Sequence, residues 1–184
     1  IQNYLADQAI WPRISTDLPE FAAAEKAVDD ELTRLLNIKG KRSVDSIHKE
    51  LGHIMWEYVG MGRTAEGLKT GIQKMKELQK EFDTNLFVPG TKEGLNMELD
   101  KAIHLRDFFT MGELVAHDAL SRNESCGGHF REEYQTEEGE AKRDDENFFY
   151  VGCWEYQGAD KDPELIKEPL EYEAIKVQTR NYKN

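Results

Sequence analysis

Two pairs of residues have the types and spacing of metal ligands. Glu50 and His53 form an E-x-x-H pair on a predicted helix, which is half of the ligand motif of di-iron carboxylate bundles. Glu113 and His117 stand four residues apart on another predicted helix, so their side chains share a face. A complete site of that kind needs a second E-x-x-H, and no other histidine has a glutamate three residues before it. Two hypotheses stay open: a metal site built from these four residues, or partly buried histidines bonded to neighbouring carboxylates.

The glycine-rich turn at residues 126–129 offers a second kind of chemistry. Cys126 and His129 are near enough along the chain to form a thiolate–imidazole pair, although the two glycines between them fix no orientation. Neither this turn nor the glycine-rich segment 60–63 follows a predicted strand and opens a helix, as the G-x-G-x-x-G and P-loop motifs do. From these residues alone we infer no complete active site and no nucleotide-binding motif.

The elements that position these residues are predicted to be helices. Apolar residues recur at spacings of three and four along four successive segments. We expect Asp17, Ser43 and Thr64 to cap the first three of these helices. The fourth, from Asn96 to Arg122, is apolar on nearly all sides, which predicts a position at the centre of a bundle.

The rest of the chain is predicted to form a loop and a hairpin. Residues 131–146 are acidic and almost free of apolar side chains, as is typical of a surface loop. Segments 148–156 and 171–177 favour strands and are predicted to pair. The predicted fold is therefore mainly α, a three-to-four-helix bundle with a small C-terminal antiparallel β-hairpin. We expect residues 1–18 to be the end of a preceding domain and a linker, 19–130 the bundle, and 131–184 the acidic loop and hairpin.

Length and charge restrict the partners. A chain of 184 residues can form one domain with a substantial core. Its 24 Lys and Arg against 36 Asp and Glu give a formal net charge of −12, which argues against nucleic acid because phosphates require a clustered basic face. No apolar run approaches the roughly 18 residues of a membrane span. The chain begins within a helical pattern and shows no signal-peptide pattern, so we expect a piece of a longer protein.

Two segments resemble a known family. Segment 51–68, LGHIMWEYVGMGRTAEGL, is similar to its "MW..VG..R...GL" pattern, and segment 119–132, ALSRNESCGGHFRE, followed by RDDENF at 143–148, is similar to "R.ESRG.H.R.D … RDD..W". The family is the C-terminal domain of the flavoprotein subunit of succinate dehydrogenase and fumarate reductase, and L-aspartate oxidase carries a similar domain. Cys126 replaces the arginine of the second pattern, and the loop before Arg143 is longer and more acidic than in the family.

The resemblance implies an FAD enzyme that interconverts succinate and fumarate. Electrons are then exchanged with an iron-sulfur subunit docked on a membrane anchor, and hence with the quinone pool, at the cytoplasmic face of the inner membrane. The family's flavin-binding and catalytic residues precede this domain, so the resemblance assigns no catalytic, cofactor-binding or metal-binding residue to residues 1–184. FAD is expected in the parent subunit only.

The resemblance also suggests a docking role for the turn after the fourth helix. We expect Glu124, His129, Arg131 and Arg143 to face the flavin domain of the same subunit, with the fragment itself acting as a scaffold without an active site. The other interpretation of these four residues is a capped helix end with surface charge pairs. Two other functions stay open: a stand-alone helical di-metal protein, and the C-terminal domain of an L-aspartate oxidase.

Overall fold

Helices dominate the computed structural model of the chain, which describes residues 1–8, 15–158 and 161–178. The helices are α1 (Gln2–Gln8), α2 (Pro19–Asn37), α3 (Val44–Val59), α4 (Ala65–Asn85), α5 (Met97–Ser121) and the single turn α6 (Asp145–Phe148). Two short strand pairs complete the described fold. The predicted mainly α fold with a C-terminal hairpin is confirmed, whereas residues 9–14 of the predicted N-terminal linker lie outside the described residues.

Helices α3, α4 and α5 pack against one another and form the core, which the last turns of α2 extend. The inward residues of α4 recur at three- and four-residue spacing, so they lie on one face of that helix. Ser43 accepts a hydrogen bond from the Ser46 amide and Thr64 from the Gly67 amide, which confirms both predicted caps. The predicted cap at Asp17 is wrong, because α2 begins after Leu18 with Pro19 in its first turn and no side-chain cap. The buried apolar residues of α4 are Leu68, Ile72, Met75, Leu78 and Phe82.

The prediction that α5 is surrounded on all sides needs correction. Its inward face is buried, but Phe108, Met111 and Val115 are exposed, Met111 by 57%. The described helices cover only part of the circumference of α5, so an apolar stripe beside α3 stays open to solvent. Helix α2 behaves similarly: Phe21 and Val28 belong to its apolar pattern, yet its first turns are exposed.

The hairpin has a different second strand from the one predicted. Strand β3 (Tyr150–Glu155) pairs antiparallel with β4 (Glu164–Pro169), while segment 171–177 is irregular and exposed. Trp154 Nε1 donates to Asp118 Oδ1 of α5 at 2.9 Å, which ties β3 to the bundle. The period-two pattern of 171–177 does not correspond to a strand, because neither face of this segment is buried. Segment 164–169 is closer along the chain to β3, so its pairing with β3 closes a shorter loop.

A second, unpredicted strand pair joins the start of α3 to the end of α4 at one end of the bundle. Residues Arg42–Ser43 and Leu86–Phe87 form a two-residue parallel pair. The amide of Gly40 donates to the carbonyl of Leu86 at 2.8 Å, which brings the loop after α2 directly onto the end of α4. Across the described ranges, no helix is long and apolar enough to cross a membrane.

Candidate functional site

The predicted metal ligands do not come together. Glu50 pairs with Arg42 at 2.9 Å, and His53 is exposed, because the buried stripe of α3 occupies the opposite face. Glu113 pairs with Lys76 at 3.0 Å, and its Oε1 lies 3.4 Å from Nε2 of His117. No group of three or more His, Cys, Asp or Glu side chains in the described residues could hold a metal ion. The four-residue metal site is therefore not formed there.

The turn after α5 is a tight backbone hairpin. The amide of Cys126 donates to the carbonyl of His129 at 2.8 Å, and the amide of His129 donates back to Cys126 at 3.0 Å. Gly127 has φ +58°, a conformation that glycine adopts without the steric cost of a Cβ. The His129 ring contacts other groups, so the hypothetical thiolate–imidazole pair with Cys126 is not formed.

Arg131 is the most deeply buried charged side chain near this turn, with 1% of its surface exposed. Its Nη1 donates to the carbonyl of Ala119 at 3.0 Å, and two further carbonyls at the end of α5 lie within 3.4 Å. The last carbonyls of a helix lack intrahelical donors and carry partial negative charge. A guanidinium at this position donates hydrogen bonds to them and places a positive charge beside them. Its Nε also pairs with Glu133 at 3.2 Å. Arg131 therefore fixes the point where the chain leaves α5.

Glu124 and Ser125 are buried next to this cap. Glu124 Oε1 accepts from Nη2 of Arg122 at 2.6 Å, and its Oε2 accepts from the amide of Asp144 at 3.0 Å. Ser125 Oγ accepts from the amide of Arg131 at 2.8 Å. These bonds connect the turn to the start of α6, so the carboxylate is satisfied without a partner from outside the chain.

His129 connects the turn to the loop between α3 and α4. Its Nδ1 lies 2.9 Å from Nη1 of Arg63, and its Nε2 lies 3.1 Å from the carbonyl of Arg122. Because a guanidinium only donates and a carbonyl only accepts, these partners assign a neutral ring with hydrogen on Nε2. Burial is the main cause that lowers the pKa of His129, and the nearby arginine charges lower it further, against the opposing hydrogen bond to the Arg122 carbonyl.

We expect this lowered pKa to make the chain less stable as the pH falls. Below the ordinary histidine pKa of about 6.5, the unfolded chain takes up a proton that the folded His129 does not, so the free energy of unfolding decreases. Urea denaturation at pH 8 and pH 6 measures this decrease. We expect His129→Gln to reduce the pH dependence, with His53→Gln on the exposed face of α3 as the matched control. An unchanged pH dependence in His129→Gln contradicts the prediction.

Arg143 lies at the rim of this network. Its guanidinium binds Asp145 Oδ1 at 2.6 Å and donates to the carbonyl of Gln178 at 3.2 Å. The bond to Asp145 is the main cause that raises the pKa of Arg143.

The network thus joins three of the four predicted site residues, Glu124, His129 and Arg131, through Arg122, whereas Arg143 bonds to Asp145 and Gln178 beside it. Glu124 and Arg131 are buried and bonded within the chain. Contact of Glu124, His129, Arg131 and Arg143 with another domain stays a prediction. Two members of the network, Arg63 and Arg122, were missed. Arg63 stands in the first of the two family-like segments, and that position was the available signal.

Comparisons with known proteins give consistent results. The sequence profile of the family described as "Fumarate reductase flavoprotein C-term" matches residues 48–182. The fumarate reductase flavoprotein subunit of Proteus vulgaris is 31% identical over 157 residues, which are 84% of this chain and 24% of that protein. L-aspartate oxidase 2-b of Nicotiana tabacum is 39% identical over 88 residues, 48% of this chain and 13% of that protein.

A solved structure is also similar. A structure of Escherichia coli quinol fumarate reductase has a TM-score of 0.75 and 28% identity, and the match covers 90% of this chain and 27% of that chain. The chain spans about a quarter of the length of the fumarate reductase relatives that it matches.

Proposed function

We propose that this chain, which belongs to the fumarate reductase flavoprotein C-terminal family, acts as the helical docking domain of a larger flavoprotein subunit. In this proposal residues 1–18 lead in from a flavin domain, 19–130 form the bundle, and 131–184 form the acidic loop and the hairpin tail. The complete subunit interconverts succinate and fumarate with FAD, and it exchanges electrons with an iron-sulfur subunit and the quinone pool. It is a peripheral subunit on the cytoplasmic face of the membrane.

The residues described here do not fit FAD. Dinucleotide-binding folds place a glycine-rich turn between a parallel strand and a helix. Here segment 60–62 connects two helices, and 127–128 follows a helix and precedes a loop. We therefore assign FAD to the flavin domain of the complete subunit and derive no step of its chemistry from this chain.

The open apolar stripe of α5 is the observation that carries the docking proposal. Phe108, Met111 and Val115 line a groove of about 260 Å³ with Leu51 and Met55 of α3. Exposed apolar side chains that line one groove are candidates for burial against a partner. A scaffold domain that packs on a flavin domain requires a surface of this kind.

We expect a chimera to test this role. The aligned C-terminal part of the E. coli fumarate reductase flavoprotein is replaced by this chain, and FAD content, association with the iron-sulfur subunit and fumarate reduction are measured. The chimera is expected to retain FAD and to bind that subunit, and the chain alone is expected to show no flavin absorbance near roughly 450 nm. A chain that by itself binds stoichiometric FAD and reduces fumarate contradicts the proposal.

The same chimera gives a prediction for the stripe. Met111→Asp is expected to change the free energy of unfolding of the chain by less than about 0.5 kcal/mol, since Met111 is exposed, but to reduce assembly of the chimera at least about tenfold. Lys69→Glu, on the solvated face of α4, is the matched charge-changing control and should assemble normally. Equal assembly of both variants argues against docking through this stripe.

An L-aspartate oxidase is the second candidate for the parent protein. The 39% identity to the tobacco enzyme favours it, although that match covers about half of this chain. Association of the chimera with the iron-sulfur subunit favours the fumarate reductase assignment. Failure to bind that subunit, combined with assembly of this chain on an L-aspartate oxidase lacking its own C-terminal part, favours the other.

A further inference from the structure

Four arginines surround the turn at residues 126–129, and their charges are not balanced equally. Three of them have a carboxylate within ion-pair distance: Arg122 with Glu124, Arg131 with Glu133, and Arg143 with Asp145. Arg63 has no such carboxylate in the part of the chain that the structure describes. This is unexpected in a chain whose acidic residues outnumber its basic ones by 36 to 24.

The remaining contacts of Arg63 hold it in place without neutralising it. Its Nε donates to the carbonyls of Val59 and Gly60, both at 3.0 Å, and its Nη1 donates to Nδ1 of His129. Its Nη2 donates to no acceptor within the described ranges. The guanidinium is therefore held at Nε and Nη1, and its Nη2 is left to donate to a further acceptor, for which a carboxylate of opposite charge is well suited.

The electrostatic setting favours an anion at this position. Burial is the largest cause that lowers the pKa of Arg63; Arg131 adds to this effect, and Asp118 opposes it. The charge of Arg63 is thus maintained against desolvation and a neighbouring cation. A carboxylate bound at Nη2 offsets both effects.

The surface next to Arg63 leaves room for an approaching group. Gly127 and Gly128 are exposed, and a Cβ built on either one meets no atom within 4 Å. Met61 is 86% exposed on the neighbouring loop. Glu132 Oε1 lies near Gly62 but forms no ion pair with Arg63. The turn that Arg63 contacts through His129 therefore has open space on its surface, and the described residues provide no acceptor for Nη2 of Arg63.

We propose that Arg63, beside the Gly127-Gly128 turn, is the receptor for one carboxylate side chain, an Asp or Glu, of the polypeptide that packs on this end of the bundle. The identity of that polypeptide as a flavin domain rests on the proposed function. The receptor itself is a property of this chain and is tested without a partner.

The test is an NMR titration of the isotopically labelled chain with sodium acetate, with sodium chloride at the same ionic strength as reference. Acetate is expected to cause saturable shifts of the Arg63 Nε–H signal and of the Gly127 and Gly128 amides, and chloride is not. Arg63→Gln is expected to raise the acetate concentration at half-saturation at least about tenfold. Arg34→Gln is the matched control, because that arginine already pairs with Glu31 and Asp83 away from the turn, and it should leave the titration unchanged.

Several outcomes overturn the proposal. If acetate causes no saturable shifts in the wild-type chain, the proposal is wrong, and this measurement does not depend on the folding of any variant. An equal response to chloride also contradicts the proposal. Equal effects of Arg63→Gln and Arg34→Gln do so as well. If succinate reaches half-saturation at less than about a tenth of the acetate concentration, the ligand of Arg63 is a free dicarboxylate and not a side chain of a partner. A chimera that fails to assemble while acetate binding persists refutes the proposed function and not the receptor.

Discussion

Replacing Arg131 with alanine is expected to reduce the free energy of unfolding by about 3–5 kcal/mol. The side chain is almost completely buried, and its guanidinium donates to carbonyls at the end of α5 and pairs with Glu133. Alanine leaves those carbonyls without a donor and opens a cavity beneath the turn, and both effects oppose folding. The turn after α5 is also expected to lose its fixed position relative to the end of the helix.

Urea denaturation followed by far-UV circular dichroism measures this effect. Arg143→Ala is the matched control: its ion pair with Asp145 is at the surface, so we expect a loss of at most about 1 kcal/mol. Arg131→Lys retains the charge but not the forked donor geometry, and we expect it to recover only part of the loss. Similar losses for Arg131→Ala and Arg143→Ala would show that the buried cap does not stabilise the fold.

Two glycine-to-alanine substitutions are expected to change stability in opposite directions. A Cβ on Gly40 would lie 1.9 Å from the backbone carbon and oxygen of Asn85, and backbone on both sides cannot move aside. Gly40→Ala must therefore break the contact between the α2–α3 loop and the end of α4, and we expect a loss of about 3 kcal/mol or more. Gly52 lies on the exposed face of α3 with no atom within 4 Å of a built Cβ. We expect Gly52→Ala to gain about 0.5–1 kcal/mol, because alanine is the better helix former.

Thermal or urea denaturation of the two variants beside the wild type is sufficient for this comparison. Each substitution adds the same methyl group, so the difference between them isolates the environment of the Cβ. A Gly40→Ala variant as stable as the wild type would mean that the loop is not held against Asn85.

Local signals were sufficient for most of the helices. The spacing of Leu68, Ile72 and Met75 placed the buried face of α4, and Ser43 and Thr64 marked helix starts, because periodicity and capping depend on neighbours within about one turn. The family was also recognisable from two short segments, and the profile match to residues 48–182 confirms it. The interdomain contacts of Glu124, His129, Arg131 and Arg143 remain predictions, because a contact with another domain depends on groups that local sequence signals do not describe.

Other features depended on which distant segments meet. The E-x-x-H spacing of Glu50 and His53 predicted that they share one face of a helix, but it did not predict whether that face is buried. In the structure this face is exposed, because the opposite face of α3 packs in the core. The second strand of the hairpin was misplaced because alternation records neither a partner nor burial. In the same way, the apolar composition of α5 could not reveal that one of its sides lacks a covering helix.

The sequence by itself determined most of the helices, the acidic surface loop and the family of this chain, since each depends on residues close together along the polypeptide. Only the tertiary structure decided that Arg131 is an internal cap and that Nη2 of Arg63 has no acceptor among the described residues. The reason is physical: a guanidinium takes its role from the acceptors around it. At this turn those acceptors are backbone carbonyls and carboxylates contributed by several segments, which spacing along the chain does not specify.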